Sequence, residues 1–136
     1  MLIRIVLLAL LTIPPCLAQK IPVAIVATER ENQDEVARHI GQALYDETQL
    51  SGVFVYWTND PADLPSTGIR LRVVSIRVTL SDDQYLGSAV MLEATRASAK
   101  DHGYYKQLIQ QVWMLPKNSS VTDLVHGFLA EAYRAA

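Results

Sequence analysis

Apolar and polar residues alternate most regularly between Ile69 and Leu80, in the run I-R-L-R-V-V-S-I-R-V-T-L. This is the period of a half-buried strand, and the branched Val and Ile side chains suit a pleated surface. The parity changes once. Ile69, Leu71 and Val73 fall on one side, while Val74, Ile76, Val78 and Leu80 fall on the other. A one-residue bulge at Val73-Val74 would bring all seven aliphatic residues to one face and set Arg70, Arg72, Ser75, Arg77 and Thr79 on the opposite one. The expectation is a long strand with an apolar underside and arginines on top.

Shorter patterns organise the rest of the chain. Val23-Ala24-Ile25-Val26-Ala27 is apolar on both parities, as in a strand covered on both faces. Asn32 stands three residues before Glu35 at a helix start, and Val36, Ala37, Ile40, Ala43 and Leu44 then recur at helical spacing until Ser51-Gly52, where the glycine suits a left-handed stop. Val53 to Trp57 reads as a second strand, and Pro61 to Gly68 as a loop with a short helical turn near Ala62-Asp63-Leu64. After the turn Ser81-Asp82-Asp83-Gln84, the segment Tyr85 to Arg96 alternates, with Leu86, Val90, Leu92 and Ala94 on one side. Residues 104–115 fit either a strand, with Tyr105, Ile109, Trp113 and Leu115 on one face, or a helix. Their match in length to the two preceding segments favours a three-stranded meander. A final amphipathic helix carries Val121, Leu124, Val125, Phe128, Leu129 and Ala132. Strand, helix, strand, three strands and helix make an α+β, two-layer sandwich: about five strands in a mixed sheet, two one-sided helices on one face, and a parallel first strand–helix–strand unit.

The first eighteen residues change the setting of this domain. Arg4, an apolar run from Ile5 to Ile13, Pro14-Pro15 and Cys16-Leu17-Ala18 have the order of a secretory signal peptide cleaved after Ala18. The run is short for a membrane span, which needs roughly 20 residues. A retained amino-terminal anchor and lipidation at Cys16 are the alternatives, although Pro15 stands where a lipobox has a small residue. Cleavage would leave residues 19–136 as one domain, without the one cysteine and without Arg4, so 12 − 1 = 11 basic residues face 14 acidic ones, net −3. No disulfide is then possible. Mild acidity gives no general attraction to nucleic acid, and no stable membrane span remains. A short charged start and a cysteine-free mature chain suit a periplasmic or secreted location.

Three stretches carry a family likeness: Ile21-Pro22-Val23-Ala24-Ile25-Val26, the helix Ala37-Arg38-His39-Ile40-Gly41-Gln42-Ala43-Leu44, and its exit Leu50-Ser51-Gly52-Val53-Phe54-Val55. Over these residues the chain resembles the amino-terminal domain of the Tol-system protein TolB and the related fold of curli-secretion and penicillin-binding-protein activator lipoproteins. The resemblance implies a non-catalytic envelope domain that docks on other proteins. It covers about 35 residues; those proteins place a second helix where this chain has Asn59 to Gly68.

Patterns that would support catalysis are weak. His39, His102 and His126 lack neighbouring ligands at metal-binding spacing, and Gly87-Ser88 lacks the sharp-turn context of a serine nucleophile, reading instead as a small-residue contact in a sheet. Asp60, Asp63, Asp82 and Asp83 fall in turns, where aspartate serves local hydrogen bonding. No phosphate loop, cofactor motif or metal motif is present. The candidate contact residues are therefore Arg70, Arg72 and Arg77, with Arg96 from the next strand and Trp57 beside the loop. Pairing with Glu93 is the ordinary alternative for the arginines. These features lead to the expectation of a non-enzymatic domain that binds another envelope protein. A small ligand-binding protein or hydrolase, or an inhibitor presenting loop 58–68, is the alternative. A pocket joining His39 or His102 to a carboxylate would favour the ligand-binding or hydrolytic reading; a flat sheet face would favour docking.

Overall fold

The structure is a computed structural model and describes residues 19–29, 35–97 and 105–136. Chain order is β1 (Ile21–Glu29), α1 (Val36–Leu50), β2 (Phe54–Tyr56), a 3-10 turn (Pro61–Asp63), β3 (Ile69–Thr79), β4 (Tyr85–Ala97), β5 (Tyr105–Pro116) and α2 (Thr122–Ala135). The strands form one sheet in the order β2-β1-β3-β4-β5. β1 pairs parallel with both β2 and β3, whereas β3-β4-β5 is an antiparallel meander. The α+β class and mixed five-stranded sheet expected from the pattern are present, and residues 105–116 are a strand rather than a helix. The signal-like segment, Asn32 and His102 lie outside the described residues.

Both helices cover the same face. The core contains Val23 of β1, Ile69, Leu71 and Val73 of β3, and Val90, Leu92 and Ala94 of β4, closed by Ile40 and Leu44 of α1 and Val125, Phe128 and Ala132 of α2. α2 also reaches β2 through an edge-to-face contact of Tyr133 with Phe54, ring centroids 5.9 Å apart. β1 is buried on both parities at Val23 and Ala24, as its doubly apolar sequence requires of a strand with neighbours on each side.

The central strand departs from expectation at one place, and the departure changes the surface. β3 stays in register with β4 through Val73–Leu92 and Val74–Met91; the irregularity falls at Val78/Thr79 instead. Without a bulge at Val73-Val74, the residues 69, 71, 73, 75 and 77 all face the helices. Val74, Ile76 and Val78 share the open face with Arg70 and Arg72. Ser75, expected on the arginine face, therefore lies on the helix side. It is buried, and its hydroxyl accepts the Ala37 N–H at 3.0 Å, satisfying one of the donors a helix leaves open in its first turn. Ser75→Ala should leave that donor without this acceptor and lower stability by about 1–2 kcal/mol, read as a lower urea midpoint with unchanged slope. An unchanged midpoint would show that the tether does not contribute.

The end of α1 is a second correction. Ser51 ends the helix in an extended conformation, its N–H donating to the Glu47 carbonyl, and its hydroxyl then accepts the Val53 N–H at 3.1 Å. Gly87 is the glycine among the described residues with a positive φ, so Gly52 does not make the left-handed stop.

Candidate functional site

The register lays the open face out in rows. Arg70 stands beside Thr95, which is opposite Gln107, and Arg72 stands beside Glu93, which is opposite Gln110. Below them come Val74, Met91 and Val112, then Ile76, Ala89 and Met114. One half of the face is therefore polar and the other apolar, because the uninterrupted strand β3 places two arginines and then three aliphatic residues on the same side. In the first of the apolar rows exposure rises from 7% at Val74 on the central strand to 73% at Val112 on the edge; in the second Ile76 is 46% and Met114 61% exposed. Side chains with this much apolar surface in water, clustered across neighbouring strands, are characteristic of contact surfaces.

The strand that bounds this half is also an edge. β5 pairs with β4 on one side and, among the described residues, has no strand on the other. Its residues 107–115, Q-L-I-Q-Q-V-W-M-L, include no charge and no proline, the features with which proteins commonly block strand addition. The opposite edge, β2, is only three residues long.

The four candidate arginines do not share one surface. Arg70 and Arg72 are on the open face, both half-buried, and Arg72 lies directly opposite Glu93. Arg77 lies on the helix side, its guanidinium 4.8 Å from the centroid of the Tyr85 ring. Arg96 is also on the helix side, where its Nη2 donates to the Ala136 carbonyl at 2.7 Å. There it complements the negative end of α2 and ties the helix to the sheet. The expected single arginine face is thus divided, because removing the Val73-Val74 bulge reverses the side of every residue after it. Trp57 is half-buried, with its Nε1–H donating to the Asp60 carbonyl at 3.0 Å, so its indole closes the loop that the sequence placed next to it. Its neighbour Tyr56 turns the other way, edge-to-face against Tyr45 of α1 at 4.9 Å.

The remaining polar candidates separate by role. The Asp60 carboxylate accepts the Ala62 N–H at 2.8 Å, and the Asp82 carboxylate accepts the Gln84 N–H at 3.3 Å, the turn geometry expected of both. His126 faces Glu47 at 3.6 Å across the two helices. Among the described residues no three His, Cys, Asp or Glu side chains gather in a metal-binding group, and no helix is long and apolar enough to cross a membrane. Ser88 is buried and shares a 2.7 Å hydrogen bond with the Tyr85 hydroxyl.

Sequence reasoning did not find the cleft between the start of α1 and the β5–α2 turn. This open cavity of ≈ 410 Å³ is bordered by Glu35, His39, Arg77, Tyr85, Lys117 and Ser119, among others. It does bring a histidine and a carboxylate to one concavity. The Glu35 carboxylate is engaged by Arg38 at 3.3 Å. No spacing rule predicts this grouping, because its members come from one helix, three strands and a turn. No protein-family model and no curated protein matches this chain.

Proposed function

We propose that this protein is a periplasmic or secreted, non-enzymatic α+β domain that acts by binding another protein of the cell envelope, using the apolar half of its open sheet face and the adjoining β5 edge. The observation that carries this reading is the exposure of Ile76, Met114 and Val112 beside a long edge strand that is uncharged over residues 107–115. An extended partner segment could add to such an edge through main-chain hydrogen bonds and place alternate side chains on the apolar rows. The signal-like start at residues 1–18 and the likeness of Ile21–Val26 and Leu50–Val55 to TolB-type amino-terminal domains support an envelope setting. Arg72 and Glu93 would border the contact and contribute orientation rather than affinity.

The test is affinity capture from envelope extract by the tagged protein and by two variants. Val112→Glu with Met114→Glu should abolish recovery of the partner while stability stays within about 0.5 kcal/mol, since both sites are exposed. Arg70→Glu with Arg72→Glu should weaken it less. Equal recovery by all three proteins would remove the sheet face from the interaction. A second reading, a small ligand-binding protein, is favoured by the cleft at His39 and Arg77.

A further inference from the structure

The cleft beside α1 lies on the helix side of the sheet, away from the proposed docking face, and its chemistry is separate. Arg77 and Lys117 contribute two formal positive charges to its wall, and Glu35, the carboxylate of that wall, is already paired with Arg38 at 3.3 Å. Among the described residues neither Arg77 nor Lys117 makes an ion pair. Arg77 is held over the Tyr85 ring at 4.8 Å, and the ring's hydroxyl is fixed by Ser88 at 2.7 Å. A guanidinium held by a ring face keeps its in-plane N–H groups for a planar, two-oxygen acceptor. The rest of the wall includes the apolar side chains of Val36, Leu115 and Val121. A volume of ≈ 410 Å³ lies in the range of small-molecule sites.

We propose that this cleft binds a small monocarboxylate with an apolar or aromatic body. Arg77 engages the two carboxylate oxygens, Lys117 adds a second positive charge, and Val36, Leu115 and Val121 contact the body. The planar carboxylate matches the in-plane N–H groups that Arg77 presents, whereas a dianionic, tetrahedral phosphate would bring more negative charge against Glu35 at the rim. A neutral molecule of the same shape would leave Arg77 without its acceptor. Burying the ligand's apolar body supplies the remaining affinity.

Titration of the protein with benzoate, followed by 1H–15N NMR, tests the assignment. Saturable shifts are expected at the Lys117 and Ser119 amides and at the Arg77 Nε–H. Benzamide, which has the same shape without the charge, should bind at least about tenfold more weakly, and phenyl phosphate should also bind more weakly than benzoate. Arg77→Gln should reduce benzoate affinity by about tenfold or more with an unchanged unfolding midpoint; if that variant does not fold, Lys117→Gln takes its place with a smaller loss. The proposal is overturned by equal binding of benzamide, by tighter binding of phenyl phosphate, by wild-type affinity in the variant, or by no saturable shift at about 10 mM benzoate. The Val112→Glu/Met114→Glu protein should bind benzoate normally, so loss of docking and loss of the ligand site are read separately.

Discussion

Gly87→Ala is expected to destabilise the protein by about 3 kcal/mol, through backbone strain and a direct clash. Gly87 sits at φ +155°, and a β-carbon there would lie 2.2 Å from the Leu115 carbonyl oxygen and 3.0 Å from the Pro116 Cα. Both obstacles are main chain, so no side-chain rotation relieves them. The close approach lies where β4 meets the end of β5, next to the irregularity at Val78/Thr79, and is reinforced by the Lys117 N–H donating to the Leu86 carbonyl at 3.1 Å. For a domain of this size the loss corresponds to a fall in Tm on the order of 10–15 °C. Separation of the strands would also displace Leu115 and Lys117 from the cleft. A thermal scan showing a change of only a degree or two would mean that the strands part at this point without cost, and the proposed close approach would be wrong.

Phe128→Ala should cost about 3–5 kcal/mol, the range for truncating a fully buried aromatic side chain. Phe128 is 1% exposed and belongs to the core cluster that joins α2 to α1 and the sheet. Domains of this kind have total stabilities of roughly 5–15 kcal/mol, so the substitution removes a large fraction and can leave the chain partly unfolded at 37 °C. The control is Tyr133→Ala on the same helix. Tyr133 is half-exposed and contributes mainly its edge contact with Phe54, so its loss should be much smaller. Equal urea midpoints for the two variants would show that α2 does not close the core. A large loss for Phe128 alone would confirm the packing of helix on sheet.

Much of the architecture was legible because it depends on periodicity. Val36, Ala37, Ile40 and Leu44 fall on one stripe of a helix whatever covers them, and Val90, Leu92 and Ala94 fall on one side of a strand. Residues 104–115 fit helix as well as strand because Tyr105, Leu108, Ile109 and Val112 make a helical stripe too. Pairing with β4 over the whole segment decides it. The site was less legible. The switch of aliphatic parity at Val73-Val74 in β3 suggested a bulge, but Ser75 stays on the helix side, where its hydroxyl accepts the N–H of Ala37, 38 positions earlier in the chain. Main-chain pairing with β1 on one side and β4 on the other keeps the strand in register. It thereby separates Arg70 and Arg72 from Arg77 and exposes Ile76 instead of burying it.

From its residues alone this chain specifies an α+β domain of one-sided helices and alternating strands, since hydrophobic spacing determines which side of each element leaves water. The alternation does not determine which side of the finished sheet the helices cover at each residue, nor which distant side chains meet. Tertiary structure decided that Arg96 secures the end of α2 rather than joining a cationic surface, and that Arg77 joins His39 and Lys117 at a cleft. It also made β5 the sheet's long edge. These outcomes depend on register and on contacts between remote segments, and a one-residue shift in register moves every later side chain to the opposite face.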